Sequence, residues 1–558
     1  MWLGLLQFRL TVGNGLNSIY HDMLRRVILP CSPICQSRLL SSLPSTSRDD
    51  CNELNKNVVD GIAHVTSLNI LTRERSVVRL KLAESQKIRK IRRQYAVPEP
   101  ALAGLRSALI SCSRPPKQLQ HEADQLSEYL AQRRFPAPPS VVKQARDKIK
   151  EMLKHQQVDD GIEDLVEKDK ETRINYKLRN EVDKILKKAH FNWKPLDIET
   201  REAAAAYALS RLAPNYAEIA RVLDEFDRSQ FTPSTVLDYG SGIGAGFWAV
   251  NERFGTNVKN YCMVDPSPSI TQFAMDIMRG ETNDLLFRNV SFRRHLVPSL
   301  QTKYDLVIAH RTLCELASQE SRLDLVASLW KRTNRFLVLI DSGLRDAYEA
   351  LIEARDFLLC SGTQLHLDET RSILKEKNLL SDSIESVLRD RSLSDFERFS
   401  LVRDMVPADI TLPTALEPAT VYAPCPHDLG CPKLGNSVCS FPVRWQVIRA
   451  DGKRSPREKS GSETGKFSYM ILEKGFRQPE SIVARILKIT HSSGHVTCDL
   501  CTKFKGLQRV AISRRTGELY QRTRSRRDGE QFPLEEETVV TESLFDLCDL
   551  KNNSKNIQ

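Results

Sequence analysis

Two strings in this 558-residue sequence carry residue types at spacings that can do chemistry. The first is Val236-Leu237-Asp238-Tyr239-Gly240-Ser241-Gly242-Ile243-Gly244-Ala245-Gly246. The run Thr235–Asp238 predicts a strand, and Phe247–Phe254 predicts a helix. Gly240 and Gly242 let the chain turn tightly and let a ligand approach without a Cβ in the way. The helix that follows offers free N–H groups. A dinucleotide pyrophosphate uses such a turn as well. Here the strand ends in Asp238, an anion that would repel a pyrophosphate but tolerates the cationic sulfonium of S-adenosylmethionine (SAM). The next strand, Tyr261–Val264, ends in Asp265, where a carboxylate can accept from two ribose hydroxyls. These residues predict a SAM site built from Asp238, Gly240, Gly242, Gly244 and Asp265.

The order strand, acid, glycine turn, helix, strand, acid resembles the class I SAM-dependent methyltransferases. That resemblance implies a doubly wound α/β sheet. Methyl transfer itself is not visible in the sequence. Enzymes that methylate base nitrogens often follow their fourth strand with Asn/Asp-Pro-Pro-aromatic, but Tyr304–Ala309 runs into His310-Arg311-Thr312-Leu313-Cys314-Glu315. Cytosine-C5 chemistry uses a Pro-Cys at the same place; Pro424-Cys425 lies after the fifth strand instead. Cys314 reads as a core thiol and His310 as a polar helix-start residue. No catalytic residue is assigned.

The second string is Ala423-Pro424-Cys425-Pro426-His427-Asp428-Leu429-Gly430-Cys431-Pro432, followed by Cys439. Its C-x5-C-x7-C spacing, broken by Pro and Gly, fits neither a helix face nor a strand face and predicts convergence on one point. Cys498 and Cys501 follow in Cys-Asp-Leu-Cys. Zinc takes four thiolates, or Cys with His427, but usually from two tight C-x2–4-C pairs. Wider spacing with a remote fourth thiol suits an iron–sulfur cluster. Both metals stay open on spacing alone, with Cys425, Cys431 and Cys439 as firm ligands, Cys501 as the fourth and Cys498 as its alternative.

Several elements must position these groups. Strand runs at 235–238, 261–264, 290–292, 305–309 and 336–340 alternate with helical stretches, the pattern of a parallel sheet covered on both faces. This predicts a SAM-binding domain over 201–420. A cysteine-cluster and β-rich domain is expected over 421–530, with short antiparallel strands after Gly465, and a polar, frayed tail over 531–558. Residues 49–200 read as helical and charged. Thr72–Gln94 carries nine Lys and Arg among apolar residues, a helix suited to an RNA backbone. Met1–Arg48 has five Arg and one acid, Asp22, and lacks the basic start and long apolar core of a secretory signal. It reads as a mitochondrial transit peptide. The net charge of +11 points to a polyanionic partner. No run reaches the ~18 apolar residues of a membrane span.

Taken together, residues from about 200 to 515 resemble the mitochondrial small-ribosomal-subunit assembly factors of the methyltransferase-like type, a family related to a yeast mitochondrial small-subunit protein. The strings that carry this are Leu237–Gly244, Val264–Ser267, Val338–Gly343, Ala423–Cys439 and Phe467–Leu472. The resemblance implies a matrix protein that binds the small mitoribosomal subunit, its ribosomal RNA and other assembly or ribosomal proteins. It also implies SAM binding with methyl transfer lost, and a [4Fe–4S] cluster. By motif, Gly240, Gly242 and Asp265 would contact SAM, and Cys425, Cys431, Cys439 and Cys501 would hold the cluster. One stretch departs from the family pattern: Ile340-Asp341-Ser342-Gly343-Leu344 stands where relatives often carry Glu and a Gly-Thr-Pro turn. In such an assembly factor, basic segments such as Arg514, Arg515, Arg522, Arg524, Arg526 and Arg527 would make the RNA contacts. Two alternatives remain: an active ribosomal RNA methyltransferase, or a zinc-stabilised RNA-binding module.

Overall fold

The computed structural model describes residues 67–71, 76–82, 91–133, 196–280, 286–316, 318–435, 437–454, 460–477, 482–503 and 506–540, with isolated positions between 135 and 180. All lie in the unit Ile62–Gln558. The expected transit segment, Met1–Arg48, falls outside the described residues.

Strands β1 (Ser67–Leu71) and β2 (Ser76–Leu82) come first, then helices α1 (Glu99–Ile110), α2 (Pro116–Gln132) and α3 (Arg201–Leu223). Thr200 caps α3 by accepting from the Ala203 amide at 3.2 Å. The α/β winding follows as β3 (Thr235–Tyr239), α4 (Ala245–Phe254), β4 (Asn260–Val264), α5 (Pro268–Arg279), β5 (Val290–Arg293), β6 (Tyr304–His310), α6 (Gln319–Arg332), β7 (Thr333–Ser342) and α7 (Arg345–Ser361). Ser267 caps α5, and Pro268 occupies its first turn, where no amide is needed. Helices α8 (Leu367–Glu376), α9 (Asp382–Arg389) and α10 (Asp395–Met405) close around their own small core of Leu374, Ile384, Leu388 and Val402. Strands β8 (Ala419–Ala423), β9 (Phe441–Gln446), β10 (Ser462–Lys474), β11 (Ile482–His491), β12 (His495–Thr502) and β13 (Gly506–Ser513) follow. Helix α11 (Glu518–Arg524) and β14 (Gln531–Val540) end the described chain.

The main sheet has the order β5-β4-β3-β6-β7-β10-β8, with β9 paired to β10. Strands β3 to β7 are parallel, and β10 runs antiparallel to β7 and β8. This is the expected doubly wound α/β sheet. Strand order reverses between β3 and β6, which places a ligand crevice at the carboxyl ends of these strands. Leu306, Val307 and Ile308 of β6 are fully buried, because helices cover both faces. Helix α1 crosses α5 at Gly104, where a Cβ would lie 1.9 Å from the Ile277 carbonyl oxygen.

A second, wholly antiparallel sheet has the order β1-β2-β14-β11-β12-β13. Three expectations change here. The basic stretch expected as a helix contains β2; Val78-Arg79-Leu80-Lys81-Leu82 alternates with a period of two, and β14 supplies its partner strand. The region 49–200 is therefore not helical throughout. The tail expected to fray from 531 begins with β14, held between β2 and β11. The boundary expected at 420/421 is crossed by the main sheet, since β8, β9 and β10 belong to it. Strand β10 pairs with β7 through the register Phe467↔Ser342 to Glu473↔Phe336.

Candidate functional site

The turn after β3 folds back on the end of β4. The amides of Gly240 and Ser241 donate to the Val264 carbonyl at 2.8 and 3.1 Å. Gly240, Gly242 and Gly244 take φ of 70°, 53° and 83°, so the turn requires glycine at these positions. Asp265 accepts from the Gly242 amide (3.0 Å) on one oxygen and from the Ser267 amide (3.0 Å) on the other. Burial raises the pKa of its carboxyl group. Asp238 is only 1% exposed and accepts from the Tyr261 hydroxyl at 3.0 Å. Burial pushes it up to about 7, against the pull of that hydrogen bond. Gly240, Gly242, Gly244 and Asp265 thus share one turn, while the Asp238 carboxyl lies beneath it. Tyr207 of α3 covers the turn; a Cβ on Gly242 would sit 3.7 Å from its ring.

Next to the turn, at the carboxyl ends of β6 and β7, lies a cavity of about 60 Å³ lined by Tyr207, Arg211, Arg311, Cys314, Asp341 and Ser342. His310 ends β6 instead of starting a helix, and its Nε2 lies 2.8 Å from Glu218 Oε2. Arg311, at φ 53°, grips both Glu218 oxygens from Nε (3.1 Å) and Nη2 (2.6 Å). Burial alone would raise Glu218, but Arg311 and His310 outweigh it and hold the carboxyl at about 2. Cys314 is half-buried; burial, then Asp341 and Glu315, push its thiol well above the usual range.

The cysteine loop is anchored at several points. Asp428 accepts from the Val421 amide (2.8 Å), Thr420 (2.9 Å) and both ends of the Arg477 fork (2.8 and 2.7 Å). Cys425, Cys431, Cys439 and Cys501 line one cavity of about 20 Å³, together with Tyr348 and Arg485. The Tyr348 hydroxyl is 2.9 Å from Cys431 Sγ, and His427 Nε2 is 3.3 Å from Cys501 Sγ. Burial pushes the Cys425 thiol up to about 11 and the Cys501 thiol up to about 12, each raised further by neighbouring cysteines. Such thiols become thiolates only beside a cation. Cys498 faces away. Two-residue alternation along β12 sends it with Val496 and Leu500 into the core of the second sheet. Among the described residues, no three Cys, His, Asp or Glu side chains close on a point as a single ion requires. The thiols surround a space instead.

Sequence reasoning missed the hub that ties these parts together. Arg485 of β11 donates to both oxygens of Glu225 at 3.0 Å, to the Pro424 carbonyl at 3.0 Å and to the Gly529 carbonyl at 2.9 Å. Arg221 and Tyr469 also bond Glu225, at 2.9 and 2.8 Å. No local pattern marks a pair 260 residues apart. Arg211 was missed as well, although an arginine inside the alanine-rich run of α3 was a readable signal.

The family model for the mitochondrial small ribosomal subunit protein Rsm22 matches residues 201–367 and 395–533. The human mitochondrial ribosome assembly protein METTL17 is 27% identical over 457 residues, 80% of this chain and 84% of its own length. Fission yeast Rsm22-cox11 tandem protein 2, also mitochondrial, is 24% identical over 54% of this chain, which spans 38% of that longer protein. Among solved structures, a putative methyltransferase from Thermoplasma acidophilum is 12% identical over 44% of this chain and 70% of its own, with a TM-score of 0.23.

Proposed function

The chain belongs to the mitochondrial small ribosomal subunit Rsm22 family, and from that premise we propose that it is an assembly factor of the small mitoribosomal subunit. It acts in the matrix after import through Met1–Arg48. It binds the subunit's ribosomal RNA, carries a [4Fe–4S] cluster on Cys425, Cys431, Cys439 and Cys501, and binds SAM at Gly240, Gly242, Gly244 and Asp265 without methyl transfer.

The observation that carries this reading is one cavity lined by four thiols drawn from two places in the sequence, the loop 425–439 and β12. Its donor set fits the cluster, which takes one thiolate at each iron. Lys433 and Arg485 on the same wall suit the cluster's negative charge. When bound, the cluster would cross-link the loop 425–439 to β12, and its ligation free energy would become folding free energy. Zinc usually takes its thiolates from two tight C-x2–4-C pairs, a spacing that Cys425, Cys431 and Cys439 do not have. Absence of methyl transfer is supported by the exit of β6. There His310 and Arg311 are committed to Glu218, and burial keeps Cys314 a thiol. Of the arginines that would contact RNA, Arg514, Arg515, Arg522 and Arg524 follow β13 directly or lie in α11.

Protein purified without oxygen should contain iron and sulfide near four each per chain and no zinc. Depletion should reduce small-subunit particles on sucrose gradients while leaving RNA methylation marks unchanged. Loss of a specific mark, restored by the wild type but not by Asp265→Ala, would establish the methyltransferase reading instead. Zinc in place of iron would establish the RNA-binding module.

A further inference from the structure

The cavity at the carboxyl ends of β6 and β7, whose lining also carries the Arg133–Glu315 pair and Asp346, contains an arginine and a buried aspartate that the proposed function does not use. Arg211 of α3 lines it and makes no hydrogen bond or ion pair among the described residues. Asp341, 2% exposed at the end of β7, spends Oδ1 on the Ser342 amide at 2.7 Å, while its buried Oδ2 has no partner. This is the aspartate of the stretch where the sequence departs from its relatives. Leaving a buried polar group unmatched is unfavourable, and more so when it is charged. Burial, with Arg311 nearby, brings Arg211 down to about 10, and burial outweighs the pull of Arg311 to bring Asp341 up to about 6. Near neutral pH both carry charge.

A free cation alone would call for an oxyanion. A carboxylate with one bare buried oxygen in the same small space would repel one. A ligand that satisfies both must present an anion and a donor a few ångströms apart. We propose that this cavity binds an α-amino-acid group, its carboxylate on Arg211 and its ammonium on Asp341. Two features indicate where the remainder of the ligand lies. Tyr207, one helical turn before Arg211, lines the cavity and lies over Gly242 of the glycine turn. A groove of about 550 Å³ shares Leu130, Arg211, Arg311, Ser342 and Leu344 with the cavity and opens it to the surface. The amino acid can therefore be the end of an adenosyl ligand seated at Asp265, in which case the inference rests on the SAM reading, or a free amino acid entering by the groove.

Calorimetry on the full chain with S-adenosylhomocysteine, 5′-methylthioadenosine and methionine separates these cases. 5′-Methylthioadenosine keeps the nucleoside and lacks the amino-acid group. Arg211→Gln should weaken S-adenosylhomocysteine by on the order of tenfold to a hundredfold and leave 5′-methylthioadenosine unchanged. Asp341→Asn should weaken it in the same selective way, and Arg211→Lys should restore part of the loss. Equal binding of both nucleosides by every variant overturns the amino-acid site and leaves the adenosyl pocket standing. Equal weakening of both by Arg211→Gln also overturns it. Binding of methionine alone, lost in Arg211→Gln, upholds the site and overturns the adenosyl reading. No binding of any of the three overturns both.

Discussion

Arg485 and Glu225 form a two-pronged ion pair, Nη1 to Oε1 and Nη2 to Oε2 at 3.0 Å each, and both side chains are at most 5% exposed. Arg485 belongs to the second sheet. Glu225 follows α3, which supports the main sheet. The Nε of the same arginine holds the Pro424 carbonyl, next to Cys425. One guanidinium thus joins two sheets to the loop that presents the thiols.

Removing one partner strands a buried charge. Arg485→Met should cost about 3–5 kcal/mol in denaturant unfolding and reduce iron occupancy. Arg485→Lys should recover only part, since an ammonium cannot fill both oxygens and the carbonyl. The double variant with Glu225→Leu should lose less than the sum of the single losses. Additive losses would show that the two residues act independently.

The fourth cluster ligand is testable by paired serine variants. Cys501→Ser should lose iron, whereas Cys498→Ser should retain it, because Cys498 packs in the core of the second sheet. Iron analysis and the visible absorption of anaerobic protein decide this. Equal loss from both would indicate that iron depends on the integrity of β12 and not on a particular thiol.

Asp238 introduces a pH dependence of folding stability. Its folded-state pKa is raised from 3.8 to about 7, so between these values the folded chain holds more protons than the unfolded chain. Stability from this group is therefore full below pH 3.8 and falls as pH rises through 7. Asp238→Asn keeps an acceptor for Tyr261 and removes the ionisation. It should gain stability at pH 8 of up to ~1.4 kcal/mol per unit of the shift, with no gain at low pH. Urea titrations at pH 5 and 8 check the sign; a uniform loss at both would show that the carboxylate is needed in its charged form.

Gly104→Ala tests the crossing of α1 over α5. Alanine favours a helix, but its Cβ would meet the Ile277 carbonyl, a backbone atom that cannot rotate away. The substitution should cost about 1–3 kcal/mol and expose α1 amides to hydrogen exchange. A gain in stability would mean that the helices separate at little cost.

Much of the fold was legible because it is local. Apolar runs at 235–238, 261–264, 290–292, 305–309 and 336–340 each became a strand of the parallel sheet, extended by a residue or more at the ends. Strand β2 differs from the expected helix because basic residues on a strand look like those on a helix until a partner is known. Strand β10 is a strand, as its sequence predicts, but its own residues do not specify that it pairs with β7 in the main sheet.

By itself the sequence determined the glycine turn, the acid at 265 and the three-cysteine loop. Backbone freedom, strand period and short-range spacing are properties of a few neighbouring residues. Only the tertiary structure decided which cysteine of β12 faces the loop, that Asp238 lies beneath the turn, that Arg485 meets Glu225, and that Arg211 and Asp341 share a cavity. Each of these depends on which element packs against which, and that is set by burial summed over the whole core.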